Sequence, residues 1–359
     1  MNIKLFTFLT ILFIIILTMP SVSAEQTLNL SARSAILMAA DTGEIVYEKN
    51  AHERLPMAST TKIMTSLIAI ESGCLQKEIT ITRDMVLVEG TSMGLLEGDK
   101  ATIKDLVCGM MLKSGNDAAN AAAMSLAASK EDFLAMMNQR AKELKMYNTN
   151  FETPSGLDSK NHYSTAYDMA LLGCEAIKNP QLSYICSQKE MALYYGNPPY
   201  RRVVKNHNRL LWEYEGASGI KTGFTKKSGR CLVSAAQRNG VKLIAVTLNA
   251  PNDWQDHRKM FDYGFELVNN QEIKSDIKSV SLKIVGGTKS RVKVTTQYTP
   301  KIAAFNQSSC DIEEIIYIKR FEYAPLKKGS VVGEARYYKE NKLIDVIPVL
   351  TAEEVYQIK

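Results

Sequence analysis

Three short polar motifs stand out in this chain: Ser59-Thr-Thr-Lys62, Ser114-Gly-Asn116 and Lys221-Thr222-Gly223. A serine hydroxyl is a weak nucleophile until a neighbouring base takes its proton. Lysine serves as that base when burial or a nearby cation lowers its pKa and leaves some neutral amine. Residues three apart on a helix share a face, so the Ser59 hydroxyl and the Lys62 amine are able to touch. A second hydroxyl, Ser114, can relay a proton between Lys62 and a leaving amine. The Asn116 amide can both donate to and accept from a substrate peptide group. Lys221 adds positive charge, which favours a neutral Lys62 and attracts a substrate carboxylate. Thr222 offers that carboxylate a hydroxyl, and Gly223 lets a substrate backbone lie along its strand as an added strand. The backbone N–H of Phe224 is placed to pair with that of Ser59 as an oxyanion hole. Taken singly, each motif has an ordinary explanation: a helix cap with a solvated lysine, a loop, a strand exit. The ordered trio points to acyl transfer through a covalent serine intermediate.

The elements that must position these groups are legible around them. Pro56 and Gly73 bracket a helical run whose Ile63, Met64, Leu67, Ile68 and Ile70 point in nearly every direction, the pattern of a helix buried inside a domain. Ser59 and Lys62 sit in its first turn, where free backbone N–H groups face any developing oxyanion. Upstream, residues 34–40 and 44–48 flank Asp41-Thr-Gly43 and predict a β-hairpin. Residues 102–113 predict a helix with Thr102 as N-cap and Asp105 three positions on. Helices are also expected over 118–128, 131–145 and 163–177, with a loop over 148–162. Residues 218–225, 230–237 and 242–249 alternate like strands, with Asn239-Gly240 a strong hairpin signal. Residues 253–268 close the domain as a helix. Hairpin, helices, three strands and helix describe one antiparallel sheet covered by helices, closed by bringing the two ends of the domain together. After a polar linker at 269–272, period-two stretches at 279–285, 291–297, 315–323 and 343–350 predict a small all-β domain.

Composition narrows the setting. With 359 residues, 45% hydrophobic and 23% charged, the chain suits one or two ordinary globular domains. Residues 1–24 read as a secretory signal: Lys4, the apolar run 5–19, and the small-residue site Val22-Ser-Ala24. That places the mature chain outside the cytoplasm. A formal net charge of +6 suits anionic surroundings without specifying one. No basic run is interleaved with aromatics, so nucleic acid is not an expected partner. The six cysteines are scattered, and Cys108, Cys174 and Cys231 fall within apolar patterns that favour buried thiols over disulfides. Four histidines and no Cys-x-x-Cys leave no basis for a metal site or other cofactor.

Around the trio, the chain carries Thr153-Pro-Ser-Gly-Leu-Asp158, His162-Tyr-Ser-Thr-Ala-Tyr-Asp168, Gly219-Ile-Lys-Thr-Gly-Phe-Thr225 and Asp262-Tyr-Gly-Phe265. With these, residues 30–265 resemble the low-molecular-mass penicillin-binding, serine-type D-alanyl-D-alanine carboxypeptidases. The resemblance implies a β-lactamase/transpeptidase-like α/β (α+β) domain over 25–268 and a small all-β domain over 272–359. It further implies removal of the terminal D-Ala from peptidoglycan pentapeptide stems through an acyl-enzyme on Ser59, with β-lactams as inhibitors. Lys62 would accept the proton with Ser114 as its partner, Asn116 would hold the peptide group, and Lys221 and Thr222 the terminal carboxylate.

Two features depart from the family. Such proteins often end in an amphipathic helix on the membrane, whereas only residues 352–359 follow the last strand here, so a C-terminal anchor is not expected, and peripheral association with the outer face of the cytoplasmic membrane is left open. Some relatives place a carboxylate-gripping arginine before the closing helix; this chain offers Arg258, with no motif to fix its role. Two rival readings remain open in the sequence. One is a β-lactamase using Glu175, although that residue fits a solvated helix face better. The other is a penicillin-acylated sensor without cell-wall turnover.

Overall fold

The computed structural model of the chain describes residues 28–273, 275–299, 301–305, 312–339 and 341–358. The signal reading at 1–24 and Cys310 lie outside these described residues. The chain divides into Met1–Leu30 and a compact unit Ser31–Lys359, and the elements below belong to the second.

Strands β1 (Ser34–Ala39) and β2 (Ile45–Lys49) form the expected hairpin, with Gly43 at φ +78° in the turn. The central helix then starts differently from the simple reading. A 3-10 turn, Ala58–Thr61, carries Ser59 and runs directly into α1 (Lys62–Glu71) without a side-chain cap. All of α1 except Glu71 is buried, as its all-round apolar pattern requires. Strands β3 (Glu78–Thr80) and β4 (Lys100–Thr102) lead to α2 (Ile103–Cys108), which is capped as expected by a reciprocal Thr102–Asp105 box. The π-turn Gly109–Lys113 extends it and ends on Ser114 in the left-handed region at φ +63°. Next come α3 (Asn116–Leu126), α4 (Lys130–Glu143), α5 (Ala166–Lys178) and α6 (Pro180–Ser187). Helix α6 and the hairpin β5 (Glu190–Gly196) and β6 (Pro199–Lys205) were not foreseen. Strands β7 (Ala217–Thr225), β8 (Gly229–Arg238) and β9 (Val241–Leu248) precede the closing helix α7 (Asp253–Leu267).

The main sheet runs β2-β1-β9-β8-β7, all antiparallel. Pairing of β1 with β9 joins the two ends of the domain, the closure expected from the element order. A large core unites α1, the alanine face of α3 and the inner sides of β1, β8 and β9. Between sheet and α7 sits His257, fully buried, bonded to the Ser234 hydroxyl through Nδ1 and to Thr247 Oγ1 at 3.0 Å through Nε2. Burial pushes its pKa down to about 3, and that of His162 to about 4. An unfolded chain with histidines near 6.5 therefore binds more protons than the fold below that pH, so stability falls as the medium is acidified from about 6.5. Melting temperature is expected to drop between pH 6.5 and 5, above the carboxylate range, with a shallower slope in His257→Asn.

The segment expected as a linker is a strand. β10 (Val268–Glu272) follows α7 directly and later pairs with β13 (Lys301–Phe305), so the pairing partner lies too far along the chain for local composition to announce it. Beyond it lie β11 (Ser281–Val285), β12 (Arg291–Thr296), β14 (Glu313–Ile318), β15 (Phe321–Tyr323), β16 (Val331–Lys339) and β17 (Lys342–Thr351). The stretch read as one strand over 315–323 is two, broken at Lys319-Arg320, and β16 had been missed. These strands form a sheet ordered β14-β16-β17-β12-β11-β15 with its own small apolar core. Cys108, Cys174, Cys186 and Cys231 are buried free thiols and Cys74 is an exposed one. Among the described residues no helix is long and apolar enough to cross a membrane.

Candidate active site

The 3-10 turn presents Ser59 one helical turn ahead of Lys62, and the two side chains meet: Lys62 Nζ lies 2.9 Å from Ser59 Oγ. Lys62 is wholly buried, the opposite of a solvated lysine. Its amine also donates to Asn116 Oδ1 at 2.7 Å and to the Ser155 carbonyl at 2.6 Å. The Asn116 orientation is fixed by its Nδ2, which donates to the Glu89 carbonyl at 2.7 Å. Both of these lysine partners can only accept. A neutral amine, with two N–H groups, keeps those two bonds and turns its lone pair toward Ser59 Oγ, which then becomes the donor. Burial first, and then the charge of Lys221, push the Lys62 pKa well below its ordinary value, against the opposing pull of Asp117. The geometry is that of a base poised on its nucleophile.

A loop far along the chain shapes this corner. Thr65 Oγ1 donates to the Pro154 carbonyl at 2.6 Å, and Gly156, at φ +86°, packs so closely that a Cβ would stand 1.9 Å from the Ala58 carbonyl oxygen. His162 accepts from the Glu152 N–H through Nδ1 at 3.0 Å, so its Nε2–H donates to Thr61 Oγ1 at 2.9 Å. This ties residues 152–156 to the turn that bears Ser59. On the opposite side, the buried Asp117 carboxylate accepts from Ser92 Oγ and the N–H groups of Met93, Gly94, Leu95 and Ala118 at 2.6–3.1 Å. It thereby holds the loop whose Thr91 carbonyl receives the Asn116 N–H at 2.7 Å. Asp117→Ala leaves several of those donors without a partner and is expected to cost about 3 kcal/mol in denaturant unfolding.

The predicted residues converge on one cleft of about 430 Å³, lined among others by Ser59, Ser114, Thr222, Gly223 and Phe224. Lys62, Asn116 and Lys221 stand behind it. Four details differ from the sequence reading. Ser114 faces the cleft, but among the described residues its hydroxyl makes no hydrogen bond to Lys62. Asn116 already uses its oxygen on Lys62 and one N–H on Glu89, so it orients the base, with one N–H left for a substrate. Lys221 is buried, its pKa lowered to about 7 by that burial, and its amine bonds the Thr222 carbonyl at 3.0 Å. It supplies field from behind the strand instead of a hand on the surface. Gly223 is required by its own chain: a Cβ would stand 3.0 Å from Ser59 N and 3.1 Å from the Met57 carbonyl oxygen, so only glycine lets β7 approach the nucleophile turn this closely. The same approach brings the Ser59 N–H beside the strand that carries Phe224.

Sequence reasoning missed the cationic end of the cleft. His207, Arg209, Arg230 and Trp254 line it as well. Arg230 is held by Asp253 at 2.9 Å and lies over the Trp254 ring, while Arg209 shares Glu213 with Arg258. The polar run Asn206-His-Asn-Arg209 before an apolar Leu-Leu-Trp was the available signal. Arg258 lines the neighbouring pocket and not that of Ser59. Glu175 bonds Arg140 at 2.8 Å and lines a different cavity altogether, which removes it from the chemistry at Ser59.

Comparison with known proteins agrees with this geometry. Residues 21–252 match the D-alanyl-D-alanine carboxypeptidase family and residues 258–357 the C-terminal domain of penicillin-binding protein 5. The chain is 31% identical to the D-alanyl-D-alanine carboxypeptidase DacF of Bacillus subtilis, over 90% of this chain and 86% of that one. It is 33% identical to DacC of Escherichia coli, over 96% and 90%. The crystal structure of DacD from Francisella tularensis superposes with a TM-score of 0.66 at 27% identity, covering 95% of this chain and 98% of that one.

Proposed function

Because this chain belongs to the D-alanyl-D-alanine carboxypeptidase family, we propose that it removes the terminal D-Ala from peptidoglycan pentapeptide stems by way of an ester on Ser59. The observation that carries the residue assignment is the amine of Lys62, buried, held by two acceptors at Asn116 and Ser155, with its third contact the Ser59 hydroxyl.

Lys62 takes the Ser59 proton as the oxygen attacks the carbonyl of the penultimate D-Ala. The backbone N–H groups of Ser59 and Phe224 receive the developing oxyanion. Ser114, facing the cleft, gives its proton to the departing amine and regains one from Lys62, which returns to the neutral amine, and the free N–H of Asn116 holds the substrate peptide group. The Thr222 hydroxyl binds the terminal carboxylate, drawn in by Lys221 from behind and by the cations at the end of the cleft. Water then attacks the ester with Lys62 again as base. A β-lactam presents the same carbonyl and carboxylate and acylates the same serine.

The wider assignments belong to the same proposal: a leader over 1–24, the enzyme over 25–268, a small all-β domain over 272–359, work on the cell wall outside the cytoplasm, and peripheral contact with the membrane. The test is D-Ala release from a synthetic pentapeptide ending in D-Ala-D-Ala. The native protein is expected to release D-Ala and Ser59→Ala to fall to background. Acylation by penicillin without D-Ala release from the native protein would select the sensor reading instead.

A further inference from the structure

A second cavity, of about 630 Å³, shares no lining residue with the cleft of Ser59. It opens between the β1–β2 turn, the C-terminal end of α5 and the β16–β17 hairpin. Four lysines line it: Lys145 and Lys178 from the helical side, Lys339 and Lys342 from the hairpin. We propose that this cavity binds a small phosphate-bearing anion with two or more negative charges.

The ion-pair accounting carries the proposal. Lys339 is paired with Glu44 at 3.1 Å. The other two carboxylates on the wall, Glu143 and Glu175, are both taken by Arg140. Among the described residues no carboxylate comes within ion-pair distance of Lys145, Lys178 or Lys342. The Lys342 amine lies over the tight turn, 3.2 Å from where a Cβ on Gly43 would stand. Partial burial and the charges of Lys178 and Lys145 push the Lys342 pKa down against the opposing pulls of Cys174 and Glu175, so the cations feel one another across the cavity. Met38, Leu171 and Cys174 give part of its wall apolar surface, while Lys145, Lys178 and Lys342 themselves are exposed and open to an ion from solution.

Three lysines lining one cavity without a carboxylate at ion-pair distance leave a monocarboxylate outnumbered, while a phosphate or diphosphate answers all of them. Lysine suits phosphate oxygens as a point charge, without the paired geometry that a guanidinium imposes. Because Lys145 and Lys178 come from the helical side and Lys339 and Lys342 from a sheet with its own apolar core, a bound anion also ties the β16–β17 hairpin to the helical side.

The probe is pyrophosphate, titrated calorimetrically into the whole protein at fixed ionic strength. Saturable one-site binding is expected, weakened at least tenfold in the double variant Lys178→Gln, Lys342→Gln, with D-Ala release unchanged as proof of folding. Lys145→Gln alone is expected to weaken binding severalfold and serves if the double variant fails to fold. No saturable heat, or equal affinity in native and variant proteins, overturns the proposal. Co-sedimentation with phosphatidylglycerol vesicles but not phosphatidylcholine vesicles, lost in the variants, would assign the phosphate to a lipid headgroup. Pyrophosphate binding without vesicle binding would assign it to a free phosphate.

Discussion

Lys62→Met is expected to lower the rate of acylation by penicillin about a thousandfold, the range in which a positioned base contributes. Methionine fills the same buried space without a basic nitrogen, so the loss reports chemistry more than packing. Lys62→Arg sharpens the point. It keeps a positive charge in the corner but cannot lose a proton at any working pH, and it should be as inactive as the methionine variant. If arginine restored acylation, the lysine would be acting through its charge and the base assignment would fail. In the native enzyme, acid should slow acylation, because protonating Lys62 removes the lone pair that faces Ser59 Oγ. Burial and Lys221 both lower the Lys62 pKa, so this loss sets in far below the titration of an ordinary lysine.

Gly156→Ala is expected to damage both stability and acylation although the residue does not touch substrate. Its φ of +86° disfavours any side chain, and the added Cβ would fall 1.9 Å from the Ala58 carbonyl oxygen. That oxygen is backbone in the nucleophile's own turn, so relief requires moving Ser59. A cost of about 3 kcal/mol in unfolding free energy, together with at least about a tenfold slower acylation, follows if Ser59 and Lys62 lose their contact. Gly73→Ala supplies the contrast: φ is +71° but nothing stands within 4 Å of the new Cβ. It should cost only about 1 kcal/mol, from the backbone alone, and leave acylation untouched. Equal effects of the two substitutions would show that the loop at 153–156 does not support the nucleophile.

The contrast between those glycines marks what the sequence could and could not disclose. Ser59 with Lys62, Thr102 with Asp105, and Asn239-Gly240 at the β8–β9 turn are local, and their spacing carried the reading directly. Closure of the sheet by β1 and β9 was legible because only that pairing buries both ends of the domain. The partners of Lys62 were less accessible. Asn116 was found by its motif, but its part in holding the lysine depends on the Glu89 carbonyl fixing its amide. Ser155, whose carbonyl takes a lysine proton, contributes backbone that any residue would supply. The requirement for glycine at 223 also comes from another segment, the turn 57–59, which comes near only after folding. The β5–β6 hairpin escaped notice because Tyr194 and Val203 are exposed on its outer face and Tyr200 at the end of its inner one, so apolar residues do not mark one side. At β10 the polar composition suggested a linker, and only the distant β13 makes it a strand.

The most direct test is to treat the protein with penicillin, digest it and locate the adduct by mass spectrometry. The mass of one penicillin is expected on the peptide containing Ser59, and no adduct on any peptide of Ser59→Ala. An adduct on another side chain, or one that persists in Ser59→Ala, would contradict the assignment of Ser59 and Lys62 as nucleophile and base.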